Sequence, residues 1–493
     1  MAKFSIGGPR YLGVLRHPAI GIRIPEIFLT GILRAYKKRN VAGGLMLSFG
    51  RETAPESVIE ATPGSFEITR GHTGTSIRKY ITMGAEAARR EGVAVELEAD
   101  HIIVISSSAR AVKRIAGVHE VETGTSEEEL KRSMQYNALA IDEALSTGFV
   151  NCFTVDTSDL FDEAAASRDE TQLREEFESA RMSDGLIGRY SDRTFTFTGR
   201  ERFSLKFTET EAMRLALRYG KSMAVGGQIY DYIEERIGRP FGFEISLDET
   251  KEETKEMDLL FYLNEWKSFG RRVDFVAPNI GFKKRTDFHD DLRKLERRVA
   301  RLSEISRSFG VLLSIHSGSG TTPYSGKGQG TYRALLRGSG RDLKYKISGV
   351  YYELLLQVLA SFPPKSKERR LYNRIFDAVL EYLEGQVAKE GPLASQLLER
   401  QLSAYGCGVR EGKVERRDPR AVFFRFNSYL ALALRDGKGR RYLREGLVGL
   451  YERDTSIRRK VDTETEKLTI RLLDGLRFRN NLRGVPDAPL SQN

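Results

Sequence analysis

Along the chain, short apolar, β-prone runs alternate with longer stretches of helical periodicity, the order expected of parallel strands joined by helical crossovers. Eight runs read as strands: Gly44–Gly50, Ser65–Arg70, Val93–His101, Val150–Asp156, Phe241–Asp248, Arg272–Asn279, Val311–Ser317 and Leu343–Gly349. Eight is the strand count of the (β/α)8 or TIM barrel, an α/β fold. Runs such as Val311-Leu-Leu-Ser-Ile-His316 stay mostly apolar until a polar residue closes them. Strands covered on both faces read this way, and their C-terminal ends form the mouth where barrel enzymes carry their chemistry.

Residues 160–240 form a long insert after the fourth strand. Within it Thr194-Phe-Thr-Phe-Thr198 and Arg202-Phe-Ser-Leu-Lys-Phe207 alternate with period two around Gly199, which predicts a β-hairpin over 194–207, a lid or a packing flap. The barrel with its insert is assigned to residues 1–362. After Pro363-Pro364 the pattern becomes helical, giving a C-terminal helical subdomain over 363–483 with Leu371–Glu390, Pro392–Tyr405 and Arg441–Tyr451 as its clearest segments. Residues 484–493 carry two prolines and no period, and read as a flexible tail.

With 493 residues and 40% hydrophobic side chains the chain can bury a full core, which excludes a disordered or fibrous protein. Lys plus Arg 79 against Asp plus Glu 68 leaves +11, so the partner is an anionic small molecule or a nucleic acid. The basic residues of the helical region, among them Lys365, Arg369, Arg416 and Arg441, lack interleaved aromatic residues; they read as a solvated face or a contact in a homo-oligomer rather than as a nucleic-acid surface. Two cysteines, Cys152 and Cys407, make no disulfide framework. Neither a secretory leader nor an apolar run of membrane-spanning length is present, so a cytoplasmic protein without a membrane partner is expected.

Against a background of six histidines, His101 and His316 close the third and seventh strands, His101 preceded by Glu96-Leu-Glu98-Ala-Asp100. In a barrel both ends meet at one cavity, where two imidazoles could hold a divalent cation with carboxylates nearby. Hydrogen-bonded rim residues would look the same. On the fifth strand Glu244, Ser246 and Asp248 share one face, and an inward Glu244 must pair with a cation or carry a raised pKa. Asp248 equally suits a helix cap. Asp156 ends strand four and could touch substrate or metal, while Asn279 ends strand six as a sugar-hydroxyl contact or a turn residue. Lys344 and Lys346 share a face of strand eight and suit a carboxylate or phosphate. The loop Ser317–Gly330, containing Lys327, is rich in glycine and hydroxyls, fits neither a Walker A loop nor a Rossmann fingerprint, and can present N–H groups to an anion.

In Glu98-Ala-Asp-His101, Phe243-Glu-Ile-Ser-Leu-Asp-Glu-Thr250, Val276-Ala-Pro278 and Leu313-Ser-Ile-His-Ser-Gly-Ser319 the sequence resembles the tagaturonate epimerase family, which interconverts tagaturonate and fructuronate. The resemblance implies a metal-dependent (β/α)8 isomerase acting on an anionic sugar acid. His101 and His316 would be metal ligands (zinc, nickel and manganese all being compatible) and Asp100 and Glu244 the proton-transferring pair. Glu98, Asp156, Asp248, Asn279, Lys327, Lys344 and Lys346 remain the substrate-contact candidates. The family pattern has an Asp-Lys pair after the His-Ser-Gly-Ser segment and a histidine two residues before the strand-eight lysine; here those places hold Gly320-Thr321 and Lys344. Inverting a carbinol carbon β to a ketone cannot proceed by simple enolisation, and without a dinucleotide fingerprint a retro-aldol cleavage with rebonding is the expected route. Two alternatives stand beside it: an aldolase or isomerase acting on another sugar acid or a phosphorylated ketose, and a non-catalytic basic binding protein.

Overall fold

The structure is a computed structural model and describes residues 7–104, 125–180 and 184–484. Eight parallel strands close on themselves: β1 (His17–Gly21), β2 (Gly43–Ser48), β3 (Ala94–Ile103), β4 (Cys152–Asp156), β5 (Gly242–Leu247), β6 (Phe275–Pro278), β7 (Leu312–Ile315) and β8 (Leu343–Ile347). Each pairs with its neighbour in sequence, and β8 closes the ring against β1 with Lys344 opposite His17 and Lys346 opposite Ala19. This is the (β/α)8 barrel that the alternating pattern implied.

Six of the eight predicted strands, from Val93 onward, fall on β3 to β8, and Gly44–Gly50 falls on β2. Ser65–Arg70 is corrected: it is not a strand but part of the long connection after β2. Its backbone closes on local turns, Ser65 N–H to the Thr62 carbonyl at 3.1 Å and Arg70 N–H to the Glu67 carbonyl at 2.9 Å, and it joins none of the sheets. The strand that takes its place is β1, His17-Pro-Ala-Ile-Gly, five residues with a proline and a terminal glycine and little β-propensity.

Period-two alternation sorts the strand residues. Leu45, Leu47, Val95, Leu97, Phe153, Val155, Phe243, Ile245, Leu313, Ile315 and Leu343 face the helices and belong to one continuous apolar core. The intervening positions Glu96, Glu98, Asp100, Thr154, Asp156, Glu244, Ser246, Ser314, Lys344 and Lys346 are buried as well, so they fill the barrel interior. Buried acids need cations among them, and Lys344 and Lys346 lie between Glu96, Glu98, Asp100 and Glu244.

In the insert, Thr194–Thr198 and Arg202–Lys206 form the antiparallel hairpin. It packs as a flap on the helix Leu292–Ser308, with Arg301 Nε donating to Glu201 at 2.8 Å and stacking over Phe203, and none of its residues reaches the barrel mouth. The 29-residue helix Glu209–Ile237 that follows starts with a reciprocal Thr208–Glu211 cap and stops at Gly238, whose φ of 60° an ordinary side chain resists.

Beyond β8 the chain is helical: Val350–Ala360, Lys367–Ala388, Gln396–Arg410, Val422–Asn427, Tyr442–Arg453 and Thr455–Gly475. Their apolar faces join the barrel core, and Thr455–Gly475 lies on the first barrel helix, Pro25–Arg39, so tightly that a Cβ at Gly31 would meet Thr465 Cβ at 2.7 Å. The expected tail falls almost wholly on residues 485–493, outside the described residues. Among the described residues no helix is long and apolar enough to cross a membrane.

Candidate active site

The strand ends deliver side chains to a cavity at the C-terminal mouth of the barrel. Asp100 and His101 come from β3, His316 to Ser319 follow β7, and Lys346 to Gly349 come from β8 and its exit. Arg23, Arg51, Glu52, His72, Lys284, Arg285, Phe426 and Tyr429 complete the wall. Three wall residues carry left-handed backbone, His101, Arg285 and Ser317. His101 has φ 44° beside a register shift between Ala99 and Ile102, and Ser317, directly after His316, has φ 57°. Both are left-handed conformations that an L side chain pays for in stability, and they re-aim the two imidazoles. The ring centroids of His101 and His316 stand 4.9 Å apart.

His316 sits between two carboxylates. Its Nε2 lies 2.6 Å from Glu244 Oε1 and its Nδ1 3.0 Å from Asp248 Oδ1. Burial disfavours the imidazolium, yet Asp248 and Glu244 outweigh it and raise the pKa to about 9. Asp248 is fixed in turn by the Ser246 hydroxyl, which donates to it at 2.6 Å. Across the mouth, His101 Nδ1 lies 3.3 Å from Asp156 Oδ2, and Asp156 Oδ1 accepts the Ser158 N–H at 3.0 Å.

Beneath the mouth, two lysines knit the acids together. Lys346 Nζ contacts Glu98, Asp100 Oδ1 at 2.8 Å, Glu244 Oε1 at 3.0 Å and the Thr154 hydroxyl at 2.6 Å. One layer deeper, Lys344 Nζ lies 3.1 Å from Glu96, 2.9 Å from Glu98 and 3.2 Å from Glu244. Burial works against every carboxylate here, but Lys346 and the two histidines hold Asp100 down at about 2, and Lys346 with Lys344 holds Glu244 well below the usual range. Glu96, Glu98 and Cys152 also bring donor atoms together, but Lys344 already supplies the cation there, and burial pushes the Cys152 thiol up rather than toward a thiolate.

Ligand atoms of His101, Asp248 and His316 lie within 4.8 Å of one another, as do those of His101, Asp156 and Glu249. Two imidazoles and a carboxylate form a donor set suited to a borderline divalent ion. When His316 Nε2–H donates to Glu244, Nδ1 is left for a cation, beside the Asp248 oxygen. The residues therefore fit a metal, with Glu244 and Asp156 behind the two imidazoles as orienting carboxylates.

Of the residues expected from sequence, Asp100, His101, His316 and Lys346 line the cavity. The others do not line it. Glu244 lies under His316, Asp248 and Asp156 beside the histidines, and Glu98 and Lys344 inside the barrel. Lys327 is fully buried, its ammonium donating to the carbonyls of Ser317 at 2.8 Å, Ser319 at 3.2 Å and Lys283. Asn279 is the turn residue, donating from Nδ2 to the Thr250 and Glu252 carbonyls at 2.9 and 3.0 Å and accepting the Gly281 N–H.

The cationic wall was not foreseen. Arg23 pairs with Glu52 at 2.7 Å and Arg51 with Glu249 at 2.8 Å. Arg285 makes no ion pair among those found in the described residues; burial first and Arg23 second bring its guanidinium down to about 10. A Cβ on Gly349, at the start of the helix Val350–Ala360, would meet Arg285 Nη2 at 3.2 Å and Arg23 Nη2 at 3.4 Å. Two guanidinium groups and a helix N-terminus after β8 thus converge on one point.

A closed parallel barrel that gathers imidazoles, lysine-bridged carboxylates and guanidinium groups at its C-terminal mouth is the architecture of a (β/α)8 enzyme. A sequence model for tagaturonate epimerase matches residues 134–389, just over half the chain, and the chain belongs to that family. The tagaturonate/fructuronate epimerase of Thermotoga maritima is 26% identical over 237 residues, which span 47% of this chain and 45% of the relative. The crystal structure of the native fructuronate-tagaturonate epimerase from Cohnella laeviribosi superposes with a TM-score of 0.65 at 20% identity, over 96% of this chain and 83% of that one. A glycerol complex of the same enzyme matches equally. At this identity the likeness is one of fold.

Proposed function

We propose that the protein is a metal-dependent sugar-acid epimerase that interconverts tagaturonate and fructuronate by breaking and remaking a carbon–carbon bond. The observation that supports this most is the meeting of His101 and His316, ring centroids 4.9 Å apart, over the Lys346–Asp100 pair in one cavity. His101, His316 and Asp248 would hold a divalent ion, and when bound it supplies Lewis-acid polarisation of a substrate oxygen.

The protein's own groups do the rest. Arg23 and Arg285 receive the substrate carboxylate at the Gly349 helix start. Asp100, ionised and facing the cavity, accepts the proton of the hydroxyl on the carbon to be inverted, and Lys346 holds it in place at 2.8 Å. The bond from that carbon to the one next to the ketone then breaks, its electron pair remaining with the ketone-bearing fragment while the carbinol becomes an aldehyde. Rotation of the aldehyde and reversal of the same steps returns the proton and gives the epimer. Glu244 contributes by fixing His316 from below.

Assay of the purified protein on tagaturonate, before and after exhaustive chelation and after metal restoration, tests this reading. Fructuronate formation that chelation abolishes and metal restores is expected; turnover indifferent to chelation overturns the metal role, and no turnover with any added metal overturns the substrate.

A further inference from the structure

Four buried polar atoms in the cavity wall have no hydrogen-bond partner among the described residues: Arg23 Nη1, Arg285 Nη1, His72 Nε2 and the Tyr429 hydroxyl. They arrive from four separate places in the chain, just after β1, the connection after β2, the connection after β6 and the C-terminal helical region. Their convergence on one cavity is therefore a property of the site and not of one irregular loop. A buried group without a partner is costly, and such atoms cluster where a ligand completes them.

Both arginine nitrogens are donors and suit an anion. His72 is different. It is 4% exposed, and its Nδ1 lies 3.3 Å from the Thr69 carbonyl oxygen. A carbonyl only accepts, so the ring proton sits on Nδ1 and Nε2 carries a bare lone pair. The ring packs against Tyr429 at a centroid distance of 4.4 Å, and the backbone N–H of His72 donates to the Arg51 carbonyl at 2.9 Å. The charged groups around it are Arg23, Arg51 and Glu52; burial and Arg23 bring its pKa to about 3, so it remains a neutral acceptor. A lone acceptor beside two guanidinium donors is the complement of a carboxylate whose neighbouring carbon carries a hydroxyl.

We propose that His72 Nε2 accepts a hydrogen bond from the substrate hydroxyl adjacent to the carboxylate held by Arg23 and Arg285, so that this subsite selects α-hydroxy carboxylates. The proposal rests on the sugar-acid reading above and names which end of the sugar acid enters the Arg23–Arg285 wall.

The test is calorimetric titration of the full chain with gluconate and with 2-deoxygluconate. Wild type should bind gluconate at least about tenfold more tightly, because a site built to receive a hydroxyl rejects the analogue that lacks it. His72→Asn keeps a side-chain donor near Thr69 but loses the distal acceptor, and should bind both acids alike. His72→Gln places an amide oxygen near Nε2 and should retain the preference. Equal binding of the two acids by wild type, or a preference undiminished in His72→Asn, overturns the role of His72 and leaves the sugar-acid reading standing. Failure of wild type to bind either acid overturns both. Should His72→Asn not fold, the wild-type ratio and the His72→Gln ratio decide: a loss of preference in His72→Gln also overturns the proposal.

Discussion

His316 Nε2 stands 2.6 Å from Glu244 Oε1, so the imidazole that faces the cavity is backed by a carboxylate that does not. This makes Glu244 an orienting group. Glu244→Gln is expected to weaken divalent-metal affinity about 10–100-fold, the usual effect of altering a carboxylate behind a ligating histidine. Competition against a chelator of known affinity measures it; unchanged affinity removes Glu244 from that role.

Lys346 carries the charge balance of three acids, Glu98, Asp100 and Glu244. Replacing it by methionine strands them in a buried interior. Lys346→Met should lose about 3–5 kcal/mol of stability in denaturant unfolding, along with turnover. Lys344→Met, one layer below the cavity, should destabilise comparably while the folded fraction keeps its affinity for sugar acids.

At Gly349 the φ is 24° and the space for a Cβ is bounded by two guanidinium groups. Gly349→Ala must push Arg23 and Arg285 from their shared point. The expected result is a KM for the sugar acid raised roughly tenfold with kcat less affected, the pattern of lost ground-state binding. A fall in kcat with KM unchanged would contradict the placement of the carboxylate.

Lys327 is buried and held by three carbonyls, and burial lowers its pKa from 10.5 to about 7. Between those values the unfolded chain binds the proton more strongly than the folded one. This group's contribution to stability therefore rises with pH across that window. The melting temperature of wild type relative to Lys327→Met should accordingly increase from pH 7 toward pH 10, and a difference constant with pH would refute the shift.

The sequence pattern made the barrel legible because short β-prone runs alternate with longer helical stretches, and runs such as Val311–His316 close on a polar residue. His101, His316, Asp100 and Lys346 could be read for the same reason: strand register carries them to the mouth. His17–Gly21 escaped notice because pairing on both sides, rather than propensity, makes it a strand. Ser65–Arg70 has strand-like composition but no free edge to join. Arg23, Arg51, Glu52, His72, Arg285 and Tyr429 come from connections and from the helical region, where no period links position to direction. Only the glycines flanking His72, Gly71 at φ 58° and Gly74 at φ 66°, marked that connection as sharply turned.

The ring is completed by Lys344 opposite His17, an edge that joins the first strand to the last. On a ribosome adding about 5–20 residues per second, β1 emerges tens of seconds before β8 exists to pair with it. The helix Thr455–Gly475 that covers the first barrel helix arrives later still. Nascent chains of this protein must therefore carry an open sheet with two unpaired edges until β8, ending at Ile347, has emerged, and it is over this interval that a chaperone holding the amino-terminal strands would matter most.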